Sequence, residues 1–318
     1  MACGERARQP RGAEGRREFV DKGKITVPNF ISGHPMITQT VAGLALAGLI
    51  FAIYALWARP YQLRWGATAE EVARPMPGDE LDPRPTFYST RAITIHAPPA
   101  EIWPWLVQMG YGRAGFYGFD ILENLGSPRG LGSASGILPE FQNFKVGDKV
   151  PISPAAEEVF YAIEPNHYLI WAGQTGQYPG GFTWALYPVD ETHTRLVSRI
   201  RWHYHSWRQP GLLFLDIFTD FTDHLAVRKI LQGVKGRVEG HAQPPALVNT
   251  EFGVYVVSAL VFFVAGLLTL LCPFSWARWW VGVAAGAAWL IVWYAPVPLW
   301  LSAIVTAFAG GSLYGVFR

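Results

Sequence analysis

Charge is what this 318-residue chain has least of: 16% of its residues are Asp, Glu, Lys or Arg, against roughly 25% in an average soluble domain. Half of the residues are hydrophobic. The runs at 37–57, 252–271, 279–295 and 299–317 hold no Asp, Glu, Lys, Arg or His, and each approaches the ~20 residues that cross a ~30 Å hydrocarbon core. Composition therefore predicts four transmembrane helices, and on this reading a purely soluble protein is excluded. Cysteine is nearly absent. Cys3 and Cys272 are the only two, so disulfides do not hold the intervening domain and no CxxC metal or redox motif exists. Net charge is only +2 with no strongly basic segment, which argues against a nucleic-acid partner, since phosphate recognition needs a concentrated basic face. No P-loop, Rossmann glycine fingerprint, GxSxG elbow or HExxH motif is present, so no cofactor is expected. The apolar runs carry no ionisable residue, and ion-coupled transport normally requires one.

What remains has a clear order. Residues 1–36 read as a disordered basic tail without apolar periodicity. The run 37–57 is an uncleaved anchor, because it has full membrane length and no small-x-small cleavage site follows. Residues 58–80 form a linker with a short helix begun by the capping-box pair Thr68 and Glu71. A domain over 81–240 follows. It starts with a β-branched strand (89–97) and two short helices (101–109 and 116–125). Five strand-like runs come next, near 146–153, 157–163, 168–173, 181–189 and 193–205, and a long helix over 211–238 closes the domain. The fold class is therefore α+β, a curved antiparallel sheet with a terminal helix. Pro296 and Pro298 break the last 39 uncharged residues into two membrane helices. Gly282 and Gly286, and Ala303, Ala307, Gly311 and Gly315, set small residues every fourth position, as helices that pack closely or self-associate in a membrane require.

Several stretches resemble the SRPBCC superfamily of START-like, Bet v 1-like and polyketide-cyclase-like domains, in its membrane-associated bacterial branch. They are Trp65–Thr68, Pro77–Glu80, Thr90–Pro99, Trp103–Gly110, Arg113–Tyr117, Asp120–Asn124, Ile137–Glu140, Val146–Asp148 and Arg228–Lys235. The resemblance spans about 62–240 and leaves the membrane helices unexplained. It implies a helix-grip fold, in which the sheet and the long C-terminal helix enclose a cavity for an apolar small-molecule ligand.

Alternation in the last strands agrees. Leu196, Ser198, Ile200, Trp202 and Tyr204 share one strand face, and Phe182, Trp184 and Leu186 do the same on the strand before. Of these, Phe182, Trp184, Ile200, Trp202 and Tyr204, with Trp171 and Asn124, are the candidate ligand-binding residues. Arg195, Arg199, Arg201, His203 and His205 fall on the opposite face, read as a solvated or headgroup-facing basic stripe. The His203/His205 pair lacks a third metal ligand. Asp216, Asp220, Asp223 and His224 read as a solvated helix face, with Arg228 following His224 at i+4. No metal site is therefore expected. The densest polar cluster is Arg113, Tyr117, Asp120, Glu123 and Asn124, with Glu140 nearby. Its carboxylates can serve general acid/base chemistry if burial raises a pKa, or Arg113 can pair with one of them structurally.

Three functions stay open. The first is membrane-anchored binding or transfer of a lipid or other apolar small molecule, with the bilayer as partner. The second is a cyclase-, dehydratase- or hydrolase-like enzyme using Arg113, Tyr117, Asp120, Glu123 or Glu140. The third is an interaction module with a filled core. The expected location is the bacterial cytoplasmic membrane, with cytoplasmic termini and an extracytoplasmic domain, because Arg278 and the basic tail fall on the same side.

Overall fold

The computed structural model describes residues 41, 45, 48–124, 132–173, 180–203, 213–271 and 276–317. The chain divides into two units, Met1–Leu44 and Ala45–Arg318; of the first only Val41 is described. The tail over 1–36 and most of the first apolar run lie outside the described residues.

The second unit is α+β. Helical chain through Leu49 and Ile53 widens into a π-helical turn at Tyr54–Ala58 and continues as α1 (Arg59–Leu63). Pro60 has no N–H to return to the Leu56 carbonyl, which accounts for the irregular turn. Thr68 caps α2 (Ala69–Ala73), its hydroxyl accepting from the Glu71 amide while the Glu71 carboxylate accepts from the Thr68 amide. The domain proper runs β1 (Phe87–Ile95), α3 (Pro99–Val107), α4 (Asp120–Glu123), β2 (Lys149–Ser153), β3 (Ala156–Glu164), β4 (Tyr168–Ala172), β5 (Gly180–Pro188), β6 (Thr194–Trp202) and α5 (Leu213–Val238). All strand pairs are antiparallel, in the order β1-β6-β5-β4-β3-β2. The first strand thus closes onto the last, and α3 and α5 pack on the inner face through Ile102, Leu106, Val227, Leu231 and Val234.

The outer face differs from the solvated stripe expected of it. The segment from Gly66 to Asp82 lies over it and takes every arginine in turn. Arg195 forks onto both Glu71 oxygens at 2.8 and 2.7 Å. Arg199 is 2% exposed and bonds Thr90 Oγ1, the Arg74 and Glu71 carbonyls and Asp79. Arg201 reaches Asp79 and the Asp82 carbonyl, and His203 lies 2.6 Å from Asp82. Met76, Ala92, Ala185 and Val197 form a small apolar layer beneath. The physical reason is that bidentate guanidinium–carboxylate pairs allow charge to be buried where water would otherwise be required. His205 lies outside the described residues.

After the domain come α6 (Pro245–Leu271), α7 (Trp276–Tyr294) and α8 (Leu299–Phe317), packed on one another. Of the four expected crossings, one helix among the described residues, Pro245–Thr269, is long and apolar enough to span a bilayer. The apolar stretches Trp280–Tyr294 and Leu299–Gly315 are shorter, and at 1.5 Å per residue they fall below a ~30 Å core. Gly282 is used inside the chain, where an added Cβ would stand 2.7 Å from Thr269 Oγ1 of α6, and Gly286 faces Phe262. The other small-residue stripe does not pack within the chain. Ala303, Ala307, Gly311 and Gly315 are exposed, whereas Ser302, Thr306 and Ala309 turn inward.

Candidate functional site

Two polar regions stand out. The first is the inner, concave face of the sheet. Strand register sets Arg91, Ser198, Trp184 and Leu169 in one row across β1, β6, β5 and β4. The next row is Ser89, Ile200, Phe182, Trp171 and Phe160. Trp171 and Trp184 are each 1% exposed and meet edge to face at 5.6 Å. Phe182 and Trp202 are partly buried, 6.0 Å apart. These candidates, with Ile200, therefore belong to one inner layer. Tyr204 lies outside the described residues.

Set among these aromatics are polar groups that the sequence reading either did not single out, Arg91 and Glu158, or placed on a solvated helix face, Asp223 and His224. Arg91 is fully buried; it donates to the Gln62 carbonyl at 2.7 Å and lies 2.7 Å from Asp223 Oδ2. Beside it, His224 is fully buried with Nδ1 at 3.2 Å from the same carbonyl. Burial, then Arg91 and Arg228, hold its imidazole well below the usual range and so neutral. Glu158 faces inward from β3 two residues before Phe160, and burial alone pushes its carboxyl up to about 8. Five buried polar atoms on this face have no hydrogen-bond partner among the described residues: Arg91 Nη2, Ser198 Oγ, Trp184 Nε1, Trp171 Nε1 and Glu158 Oε2. The signal was present in the sequence, because Glu158 and Ser198 each break the apolar alternation of a strand.

The helix-face reading of α5 also changes. Asp220 is 3% exposed and is held by Arg59 at 2.7 Å and by the Tyr54 hydroxyl. Arg228 does not serve His224; it donates to the Trp293 carbonyl and the Tyr255 hydroxyl. These partners lie far apart in sequence, so helical spacing cannot reveal them.

The second region is the cluster around α4, which the fold splits. Arg113 turns away from the carboxylates: it donates to the Val107 carbonyl at 2.9 Å and stacks over Phe141 at 4.5 Å. Glu140 is exposed on a short turn. Asn124 is half-buried and donates its backbone N–H to the Asp120 carbonyl. Tyr117, in a left-handed backbone conformation (φ 66°), is 2% exposed. Its hydroxyl is already spent, donating to the Trp105 carbonyl and accepting from Gln108. Asp120 accepts from Ser133 Oγ at 2.6 Å. Glu123 fits over Gly118, where an added Cβ would collide with Oε1 at 1.9 Å. Burial, then Asp120, push its carboxyl up to about 8. Two carboxyls, Glu123 and Glu158, therefore hold protons at neutral pH. Only Glu158 faces the concave layer.

No family model matches the chain, and no curated protein matches it. Solved structures that it resembles include CalC, a self-sacrificing resistance protein from Micromonospora echinospora (11% identity, TM-score 0.30), covering 49% of this chain and 96% of that one. A Polyketide_cyc-like protein from Corynebacterium glutamicum matches at 14% identity and TM-score 0.23 over 53% of this chain and 93% of that one. Aha1 from Colwellia psychrerythraea matches at 14% identity and TM-score 0.25, over 45% of this chain and 98% of that one. Likeness of this size carries no argument about function, which rests on the chain's own geometry.

Proposed function

We propose that this chain is a membrane-anchored protein of the SRPBCC type whose helix-grip interior binds an apolar small molecule or lipid bearing oxygen acceptors. One observation carries the reading: the concentration of five unpartnered buried polar atoms on the concave face, amid Phe160, Phe182 and Ile200. Leaving a buried donor unmet costs about 1–3 kcal/mol. A merely filled core avoids that cost by using Phe or Leu where Trp171 and Trp184 stand. Four of the five groups can donate, through two indoles, a guanidinium and a hydroxyl, which suits ketone, hydroxyl or carboxyl oxygens on a hydrophobic frame.

Anchoring is supported by α6 and by the large apolar side chains that α6, α7 and α8 leave exposed, among them Leu260, Phe263, Trp280, Trp300 and Phe308. Water tolerates such a surface poorly, and hydrocarbon does not. The expected location is a bacterial cytoplasmic membrane.

Native mass spectrometry of the detergent-purified chain tests the reading. One bound small molecule is expected, released more readily from Ser198→Ala and Trp184→Phe. No bound molecule, together with a more stable Trp184→Phe protein, would return the interior to plain core. A second reading, acid/base catalysis, is favoured by Glu158, the protonated carboxyl on that face. A catalytic Glu158 loses turnover on Glu158→Gln while ligand retention stays unchanged.

A further inference from the structure

A recess lies where the domain meets the apolar helices. A cavity of about 540 Å³ is bounded by the second half of α5, the Tyr117–Asp120 turn, the 241–245 connection and the domain-side ends of α6, α7 and α8. Its size falls within the ~300–1,000 Å³ of small-molecule sites.

Its walls differ in chemistry. One wall carries Lys229, Lys235 and Arg237, against the carboxylates Asp120 and Glu251. Lys229 is matched by Glu251, and Lys235 by Glu239. Asp120 is engaged by Ser133 through both its amide and its hydroxyl. Arg237 has no carboxylate within ion-pair distance among the described residues. It donates to the Ala134 and Gly233 carbonyls at 2.8 and 3.2 Å and stacks 4.4 Å over the Tyr117 ring. Stacking and carbonyl contacts fix the guanidinium, and Asp120 and Glu123 act on it electrostatically without forming an ion pair with it among the described residues. The lining from α6–α8 is mostly hydrocarbon, Val248, Val254, Val292, Val297 and Leu299, with the polar groups of Glu251, Tyr255 and Ser302 among them. Cation and hydrocarbon therefore face each other at the depth where membrane helices emerge.

We propose that this cavity is a second ligand site, taking an amphiphile with an anionic head, carboxylate or phosphate, against Arg237 and its chain along α6–α8. The proposal rests on the membrane-anchored part of the reading above and not on the helix-grip interior. A planar guanidinium pairs with a carboxylate or phosphate through two parallel bonds, and an alcohol forfeits that pairing.

The full chain, reconstituted in phosphatidylcholine nanodiscs, is titrated with a fluorescent long-chain fatty acid and with the matching alcohol; phosphatidic acid serves as competitor. The acid is expected to bind roughly tenfold more tightly than the alcohol. Arg237→Gln should abolish that preference and Arg237→Lys should retain part of it. Ala295→Trp, which fills the cavity from an exposed lining position, should weaken acid and alcohol alike. Displacement by phosphatidic acid assigns the site to a membrane phospholipid, and its failure to displace assigns it to a free fatty acid. Equal affinity for acid and alcohol, or a preference unchanged in Arg237→Gln, overturns the proposal. Resistance of the protein to carbonate extraction reports anchoring separately, and Ser198→Ala with an unaltered acid preference separates this site from the interior one.

Discussion

Arg91 and Asp223 show how a charge can sit on an apolar strand face. The guanidinium is 1% exposed and its partner 15%, so each depends on the other for the loss of water. Removing one half of such a pair leaves a buried charge alone, at a cost of about 3–5 kcal/mol. Arg91→Ala is expected to lower stability by that order in chemical denaturation, whereas Arg64→Ala on the neighbouring surface should change little. Glu123 provides a pH signature. Its carboxyl is raised by burial to about 8, above the ordinary value near 4.5, so the folded protein keeps a proton that the unfolded chain releases. Its contribution is fully present below about 4.5 and is lost as the pH rises toward 8. At about 1.4 kcal/mol per unit of displacement, the loss is on the order of a few kcal/mol. Melting temperature should fall across that window in the wild type and fall less in Glu123→Gln; equal slopes in both proteins would sink the assignment.

At the scale of elements, α5 meets the turn before α4 by way of a glycine. A Cβ on Gly233 would stand 1.9 Å from the Tyr117 carbonyl oxygen. Helix propensity alone favours alanine over glycine by about 1 kcal/mol. The clash is with backbone and cannot be relieved by a rotamer, so packing wins. Gly233→Ala should destabilise by about 1–3 kcal/mol, the scale of overpacking. Gly253, in α6 with nothing near its added Cβ, should accept alanine without loss in the same thermal assay.

The contrast explains what was legible beforehand. Strands such as Thr194–Trp202 and the capping box at Thr68 are written in local spacing, and both are found where that spacing puts them. Partners more than a hundred residues apart are not written there. The alternation in β6 separates Arg199 from Ile200, but nothing local tells that Glu71 and Asp79 will cover Arg199. The same holds for Asp220 and Arg59, 161 residues apart. Arg113 was unreadable for the same reason: the Val107 carbonyl and the Phe141 ring take its guanidinium where an ion pair was one option, and its Nε keeps no hydrogen-bond partner among the described residues.

On the scale of the whole molecule, the cavity fixes the relative placement of the helices. Val248 and Glu251 near the start of α6, Val292 near the end of α7, and Leu299 at the start of α8 all line it together with Lys229 and Arg237 of the domain. Those three helix ends are therefore on the domain side, and α6 leads away, α7 returns and α8 leads away again. The C-terminal end of α6, the start of α7 and the C-terminal end of α8 then share the far side; in the sequence Arg278 falls in the first turn of α7 and Arg318 directly follows α8. The Ala295–Pro298 connection on the domain side carries none. Short loops retain their arginines on the cytoplasmic side of a bilayer, so the proposed anchoring carries the prediction of a cytoplasmic far side and an extracytoplasmic domain. Alkaline phosphatase, active only outside the cytoplasm, should report activity when fused at residue 150 and none when fused after Arg318. Activity at the C-terminus with none at 150 would reverse the predicted orientation, and activity at both or at neither would show that the chain between the two points does not cross an odd number of times.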